Sequence, residues 1–280
     1  MKLERSYTSS HEVGPDRRVD FACSLDAREW PWIALGPRHP VVIQAQNFWA
    51  SIGAAHATGS IDEAQWSALT WTDWRCGDLA AGNAVRGTYR RERGAGAHED
   101  SDNFAIELFD CEDRTTVTMR GRGVMFRNRD FEQWRAEAKR KARARAEKTG
   151  ESAPPAFASH AALGLGPGEH PLIAPPQDKS PARFAGMVTP GNGLPPANRV
   201  LSGSGDHVNT VHMVEAARQA LCLLTEQPHP AIGGGAMTLS RYVELGVPFA
   251  LDVQDRQPDE ARFTLVQAGR ECATITLRTE

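Results

Sequence analysis

Glu215 is the residue around which chemistry can be organised. It lies in a run where Val211, Val214, Ala217, Leu221 and Leu224 recur at the spacing of a helix with one buried stripe. A carboxylate at the rim of such a stripe is costly unless it is paired or used. Arg218 and Gln219, three and four residues on, fall on the same helical face. Two readings stand side by side: an intrahelical Glu215–Arg218 pair, or a general acid or base facing a pocket. Arg218 would lower the Glu215 pKa and an apolar pocket would raise it, and spacing does not decide between them. His207 and His212 are alternative acid/base groups, although a lone histidine is more simply read as a capping or core hydrogen-bonding residue. Asp206, Asn209 and Thr210 are the residue types that cap helix N-termini, and Asp206 is read as a cap or loop residue.

The helix carrying Glu215 needs a frame, and composition bounds it. The chain has 280 residues, room for one large domain or two smaller ones. A net charge of -3 gives no global case for a nucleic-acid or membrane partner. No apolar run reaches the length of a membrane span, and Met1–Ser6 lacks the apolar core of a signal peptide. The five cysteines are scattered with no CxxC pair, so they read as reduced thiols of a cytosolic protein, and neither structural zinc nor any other cofactor is expected. Gly233-Gly234-Gly235 has no following Gly-Lys-Ser/Thr, and no Gly-x-Ser-x-Gly elbow occurs.

Residues 1–20 read as a loose arm or edge strand. Val41–Ala57 is a long apolar helix with almost no charge, which predicts burial nearly all round. Strands are predicted at Trp66–Cys76, Asn83–Arg93, Asn103–Phe109 and Thr115–Phe126, with a hairpin turn at Asp110–Arg114. Asp130–Lys148 is a charged helix dense in Lys and Arg, read as a solvated connector, with docking of an acidic carrier protein or of CoA phosphates as the sharper alternative. Glu151–Pro196 holds most of the prolines and reads as a linker, with Ala182–Val188 its one candidate element.

After the Glu215 helix come the glycine triplet and strands at Ala236–Val243, Phe249–Val253, Ala261–Ala268 and Glu271–Arg278, the last two turning at Gly269-Arg270. The order of helix then antiparallel strands therefore occurs twice, and an internal duplication accounts for it. The predicted division is a first unit over 1–130, a crossing helix and linker over 131–181, and a second unit over 182–280. Aligning His39 with His207 sets Asn47 opposite Glu215 and Ala50 opposite Arg218. One of the two potential sites has lost its carboxylate, which predicts one working site per chain with Asn47 as a hydrogen-bond partner.

A long helix wrapped by an antiparallel sheet resembles the hotdog fold, and two copies in one chain resemble a double hotdog of the α+β class. Glu215-Ala216-Ala217-Arg218-Gln219-Ala220 is similar to the Glu-Ala-x-x-Gln segment of FabZ-type 3-hydroxyacyl-carrier-protein dehydratases, in which that Glu is catalytic. The longer string from Asp206-His207-Val208 to Glu215-Ala216-Ala217-Arg218-Gln219 resembles the A-factor biosynthesis (AfsA-type) proteins, themselves double hotdogs implicated in joining a β-ketoacyl thioester to a three-carbon phosphate. Both resemblances depart from their patterns. AfsA-type proteins carry Pro-Gly-Met where this chain has Asn209-Thr210-Val211, and the dehydratases' His-Phe-x-Gly-x-Pro segment is missing.

What these resemblances imply is an enzyme acting on an acyl thioester of a carrier protein or CoA, without metal or redox cofactor. In hotdog dimers the thioester carbonyl usually lies near the N-terminal end of a central helix, where backbone N–H groups can stabilise negative charge. Dehydration or hydration of a 3-hydroxyacyl or enoyl thioester, a lyase reaction, is the first expectation. Glu215, His207 and Asn47 would be catalytic, and Arg218, Gln219 and His212 would bind substrate. AfsA-type acyl transfer or condensation and thioester hydrolysis are the alternatives within that class, and a non-catalytic acyl-binding scaffold is the alternative outside it. A homodimer is compatible with all of them.

Overall fold

A computed structural model describes residues 5–60, 66–92, 101–126, 131–149, 153–176, 182–201 and 206–280. The chain divides into two compact units, Met1–Arg129 and Asp130–Glu280. The linker limits expected at 130 and 181 both lie outside the described residues.

The first unit opens with strands β1 (Thr8–Val13) and β2 (Val19–Cys23), so the expected loose arm is an edge hairpin. A 3-10 turn over Pro31–Leu35 leads to helix α1 (Pro40–Ala57), followed by β3 (Trp66–Cys76), β4 (Arg86–Glu92), β5 (Ser101–Phe109) and β6 (Thr115–Phe126). All pairings are antiparallel, in the order β1-β2-β4-β5-β6-β3. Helix α1 starts where His39 accepts the Val41 N–H and Pro40 fixes the first helical position. Its burial follows from its composition: Pro40 through Asn47 are all buried, and the helix packs on β1 and β4. Strand β6 alternates as a half-buried strand should, with Val117 and Met119 inward and Thr118 and Arg120 outward. Gly121 continues the inward row because the Phe104 ring lies where its Cβ would be.

The second unit begins with α2 (Phe131–Thr149) and the short helices α3 (His160–Leu163) and α4 (Pro190–Gly193), with β7 (Arg183–Gly186) between them. Helix α5 (Thr210–Thr225), β8 (Ile232–Leu239), β9 (Phe249–Gln257), β10 (Glu260–Gln267) and β11 (Arg270–Thr279) complete it. The antiparallel order is β8-β11-β10-β9-β7. Ala273, Ile275 and Leu277 of β11 and Phe263 and Leu265 of β10 form the buried face, and α5 packs on β11 and on α3.

Three expectations change. The glycine triplet is not a break before a strand: Gly233, Gly234 and Gly235 are part of β8, and Gly234 and Gly235 pair with Arg278 and Leu277 of β11. Helix α2 is not solvated all round, because Phe131, Arg135 and Ala146 are buried on one face. The proline-rich stretch contributes core as well: Leu163, Leu172 and Ile173 are fully buried, and Ile173 bridges to Gly186 beside β7. Among the described residues no helix is long and apolar enough to cross a membrane.

Candidate active site

Every residue of α5 from Val211 to Cys222 is buried, so its polar side chains must find partners inside the protein. Glu215, Arg218 and Gln219 find one another. Arg218 Nε donates to Glu215 Oε2 at 2.8 Å and Arg218 Nη2 to Glu215 Oε1 at 2.7 Å, a two-pronged ion pair. Gln219 Nε2 donates to Glu215 Oε1 at 2.9 Å. The group also binds the end of α3 and the segment that follows it. Arg218 Nη1 donates to the Leu163 carbonyl, Gln219 Nε2 to the His170 carbonyl, and Gln219 Oε1 accepts the Leu172 N–H at 2.8 Å. Glu215 and Arg218 are 3% and 4% exposed, so water reaches neither freely.

This strap over α5 is held by a glycine. Gly164 ends α3 in the left-handed region at φ 61, and a Cβ there would come within 1.9 Å of the Pro228 carbonyl. Burial opposes the charge on Arg218, yet the Glu215 carboxylate holds its pKa above the ordinary arginine range. Burial raises the Glu169 carboxyl, and the nearby Glu215 charge adds to the rise, against the N–H that Gly166 donates. The Cys222 thiol is pushed up to about 11 by burial despite Arg218 beside it, so it is no thiolate nucleophile at neutral pH.

His212 is the helix's second buried polar group. Its Nδ1 accepts the Asn209 N–H, and its Nε2 lies 2.7 Å from the Gly193 carbonyl, so Nε2 carries the proton. Asn209 answers by accepting the Val211 and His212 N–H groups, a reciprocal cap. Asn209, rather than Asp206, thus caps α5, and these two N–H groups are occupied by its carboxamide.

Burial lowers the His212 pKa from 6.5 to about 4. The unfolded chain takes up a proton there near 6.5, the folded chain only near 4. The stability linked to this group is therefore complete above about 6.5 and falls as pH drops towards about 4, by roughly 3 kcal/mol. Urea unfolding at pH about 7.5 and about 4.5 should show this loss in the wild type. In His212→Gln the loss should be smaller; an unchanged pH dependence would count against a neutral buried imidazole.

The third group stands before the N-terminus of α5. Val208 N–H donates to the Val243 carbonyl, which brings Asp206-His207 beside Tyr242 and Glu244. His207 meets the Tyr242 ring edge-on at 4.9 Å. Its Nδ1 is 3.5 Å from Asp206 Oδ2, within ion-pair reach but longer than a hydrogen bond, and no hydrogen-bond partner among the described residues reaches it. Arg135 of α2 lies against the same group: Nη1 and Nη2 donate to the two Glu244 oxygens at 2.7 and 2.9 Å, and Nε and Nη2 to Asp206 Oδ2 at 3.2 and 3.1 Å. Its guanidinium also sits 4.1 Å over the Tyr242 ring, and Lys139 donates to Asp206 Oδ1. Burial and the Arg135 charge lower the His207 pKa, with Asp206 opposing. His207 is therefore neutral at neutral pH, and its side chain is 27% exposed.

The structure thus gathers Glu215, Arg218 and Gln219 into one closed cluster. It ties His212 to Gly193 and leaves His207 in a second cluster with groups distant along the chain, Arg135, Tyr242 and Glu244. Asn47 lies in the first unit, where its Nδ2 donates to Thr72 Oγ1 and its Oδ1 accepts from Ser51 Oγ. Arg135, Tyr242 and Glu244 were missed. The one signal was Phe131, an apolar residue one helical turn before Arg135 on the same face.

No family model and no curated protein matches the chain. Solved structures do. HtdX of Mycobacterium tuberculosis is similar at 11% identity with a TM-score of 0.54, covering 94% of this chain and 100% of its own. The 12:0-ACP thioesterase of Umbellularia californica is similar at 12% identity and a TM-score of 0.51, over 99% and 94% of the two chains. A protein described as an oleoyl thioesterase from Lactobacillus plantarum is similar at 11% identity and 0.51, over 86% and 88%. At such identities the likeness is one of fold. The chain has a tandem hotdog fold of the α+β class, built of two helix-and-antiparallel-sheet units.

Proposed function

We propose that this protein is an enzyme that processes an acyl thioester of a carrier protein or CoA, with His207 as the group that takes the proton. The observation that carries this reading is the state of His207: neutral, partly exposed, and backed by the Asp206 carboxylate just before the N-terminus of α5. Glu215 is closed off by Arg218 and Gln219, whereas the His207 side chain is 27% exposed. The two solved thioesterases that share the fold agree with a thioester substrate.

Hydrolysis is the reaction that one base in this setting performs most simply. With Nδ1 towards Asp206, Nε2 takes a proton from water as the water oxygen adds to the thioester carbonyl. The imidazolium formed is stabilised by Asp206. Collapse of the tetrahedral adduct breaks the C–S bond, the sulfur leaves with the proton from Nε2, and the products are the free acid and the free thiol.

A second reading, dehydration or hydration at the β carbon, is favoured by one observation. Glu169 lies near Glu215, and burial together with the Glu215 charge raises its carboxyl, the direction that a general acid beside a second carboxylate requires. In that reaction the β-hydroxyl would leave as water while a base removes the α proton. Intact-mass analysis of acyl and 3-hydroxyacyl thioesters incubated with the protein separates the two. Release of free carrier thiol is expected. A loss or gain of about 18 mass units on the acyl group, with the thioester intact, would transfer the chemistry to Glu215. No turnover of any thioester would remove both readings.

A further inference from the structure

We propose that Arg135, on the charged helix α2, is a positioning residue for His207: its guanidinium holds the Asp206 carboxylate and the Tyr242 ring against the imidazole. The inference rests on His207 being the working base, but its central test does not. A guanidinium needs one carboxylate to balance its charge, and Glu244 supplies it through two short hydrogen bonds to Nη1 and Nη2. Arg135 nonetheless turns Nε and Nη2 to Asp206 as well and lays its plane over Tyr242. A structural ion pair needs neither contact. Together they fix both neighbours of His207, the carboxylate at Nδ1 and the ring at its edge.

Glu244 is itself fixed, so the frame is rigid. Its N–H donates to Gln267 Oε1, and Gln267 Nε2 returns a bond to the Glu244 carbonyl and another to that of Val247. The cluster therefore ties α2, the segment before α5, the turn after β8, and β10 into one unit around the imidazole.

The charged and titratable groups that face His207 are Arg135 and Lys139 from α2, Asp206 beside it, Tyr242 and Glu244 after β8, and His212 from α5. Asp206 shares its charge between two cations, which leaves less of it to stabilise an imidazolium. Removing the Arg135 charge releases Asp206 to His207, so the His207 pKa should rise. Removing Asp206 should lower it further.

The test uses the full chain with isotope-labelled histidine, titrated by NMR, with the His207 signal assigned from His207→Asn. Arg135→Met alone would strand Glu244 in the interior, so the first variant is Arg135→Met with Glu244→Gln. The second is Asp206→Asn, which leaves the Arg135–Glu244 pair in place. The expected result is movement of the His207 midpoint to higher pH in the first and to lower pH in the second. The His212 signal, held by Gly193 and Asn209, should move less. In turnover, the first variant should lose up to about 10²-fold in kcat with little change in KM, the signature of a displaced base. A His207 midpoint that stays put in either folded variant overturns the proposal. If the wild type turns over no thioester while the midpoints move as stated, the catalytic reading fails and the positioning of His207 stands.

Discussion

His207→Asn should lower thioester turnover by about 10²- to 10⁴-fold, the range that a positioned acid/base group contributes. The fold should tolerate the change, because His207 is partly exposed and its Nδ1 makes no hydrogen bond within the described residues. The loss should sit in kcat, since the proton moves in the transition state. The wild-type pH profile follows from the direction of the His207 shift. A base works when unprotonated, so activity should fall as pH drops through the His207 pKa. Burial and Arg135 hold that pKa below the ordinary 6.5, so the activity should persist to lower pH than a free imidazole would allow. An acid limb that survives unchanged in a still-active His207→Asn would assign the base to another group. Full activity in that variant would leave Glu215 as the remaining candidate.

Arg218→Met should produce the largest loss of stability. The Glu215–Arg218 pair is closed from water on both sides, and removing one partner leaves an uncompensated carboxylate in the interior, at about 3–5 kcal/mol. Gln219 and the Leu163 carbonyl would each lose a partner or an orientation, which adds to the loss. Glu215→Gln combined with Arg218→Met removes both charges and should recover much of the stability. Denaturant midpoints measure both variants. A combined variant no more stable than Arg218→Met would show that the pair matters through its hydrogen bonds to the strap over α5 rather than through charge. The activity of the combined variant is informative too. If it folds and still hydrolyses thioesters, Glu215 is a structural residue; if it folds and is dead, the Glu215 cluster takes part in the reaction.

The two predictions concern α5 and the segment just before it, and the two were unequally visible in the sequence. The Glu215–Arg218 pair is a contact between residues one turn apart, so helical periodicity alone brought them to one face. The capping by Asn209 is equally local, a short polar residue placed just before an apolar run. The same locality explains why the strands were legible: β3 and β6 span the segments whose apolar and β-branched residues mark them, and the hairpin turns carry polar residues. The repeated order of helix and antiparallel strands sufficed for the fold class.

What the sequence by itself determined, then, is what periods of two and of 3.6 residues determine: most of the long helices and strands, and the one helical face that Glu215, Arg218 and Gln219 share. What only the tertiary structure decided is which distant groups meet. Arg135 and Glu244 stand 109 residues apart, and no local pattern joins them. Residues 163–172 read as linker because prolines and glycines crowd them, yet their carbonyls and N–H groups are what Arg218 and Gln219 bind. The physical reason is the same in both cases. A buried charge or amide must be satisfied by whatever the fold brings within about 3 Å, and that choice belongs to packing, not to neighbours along the chain.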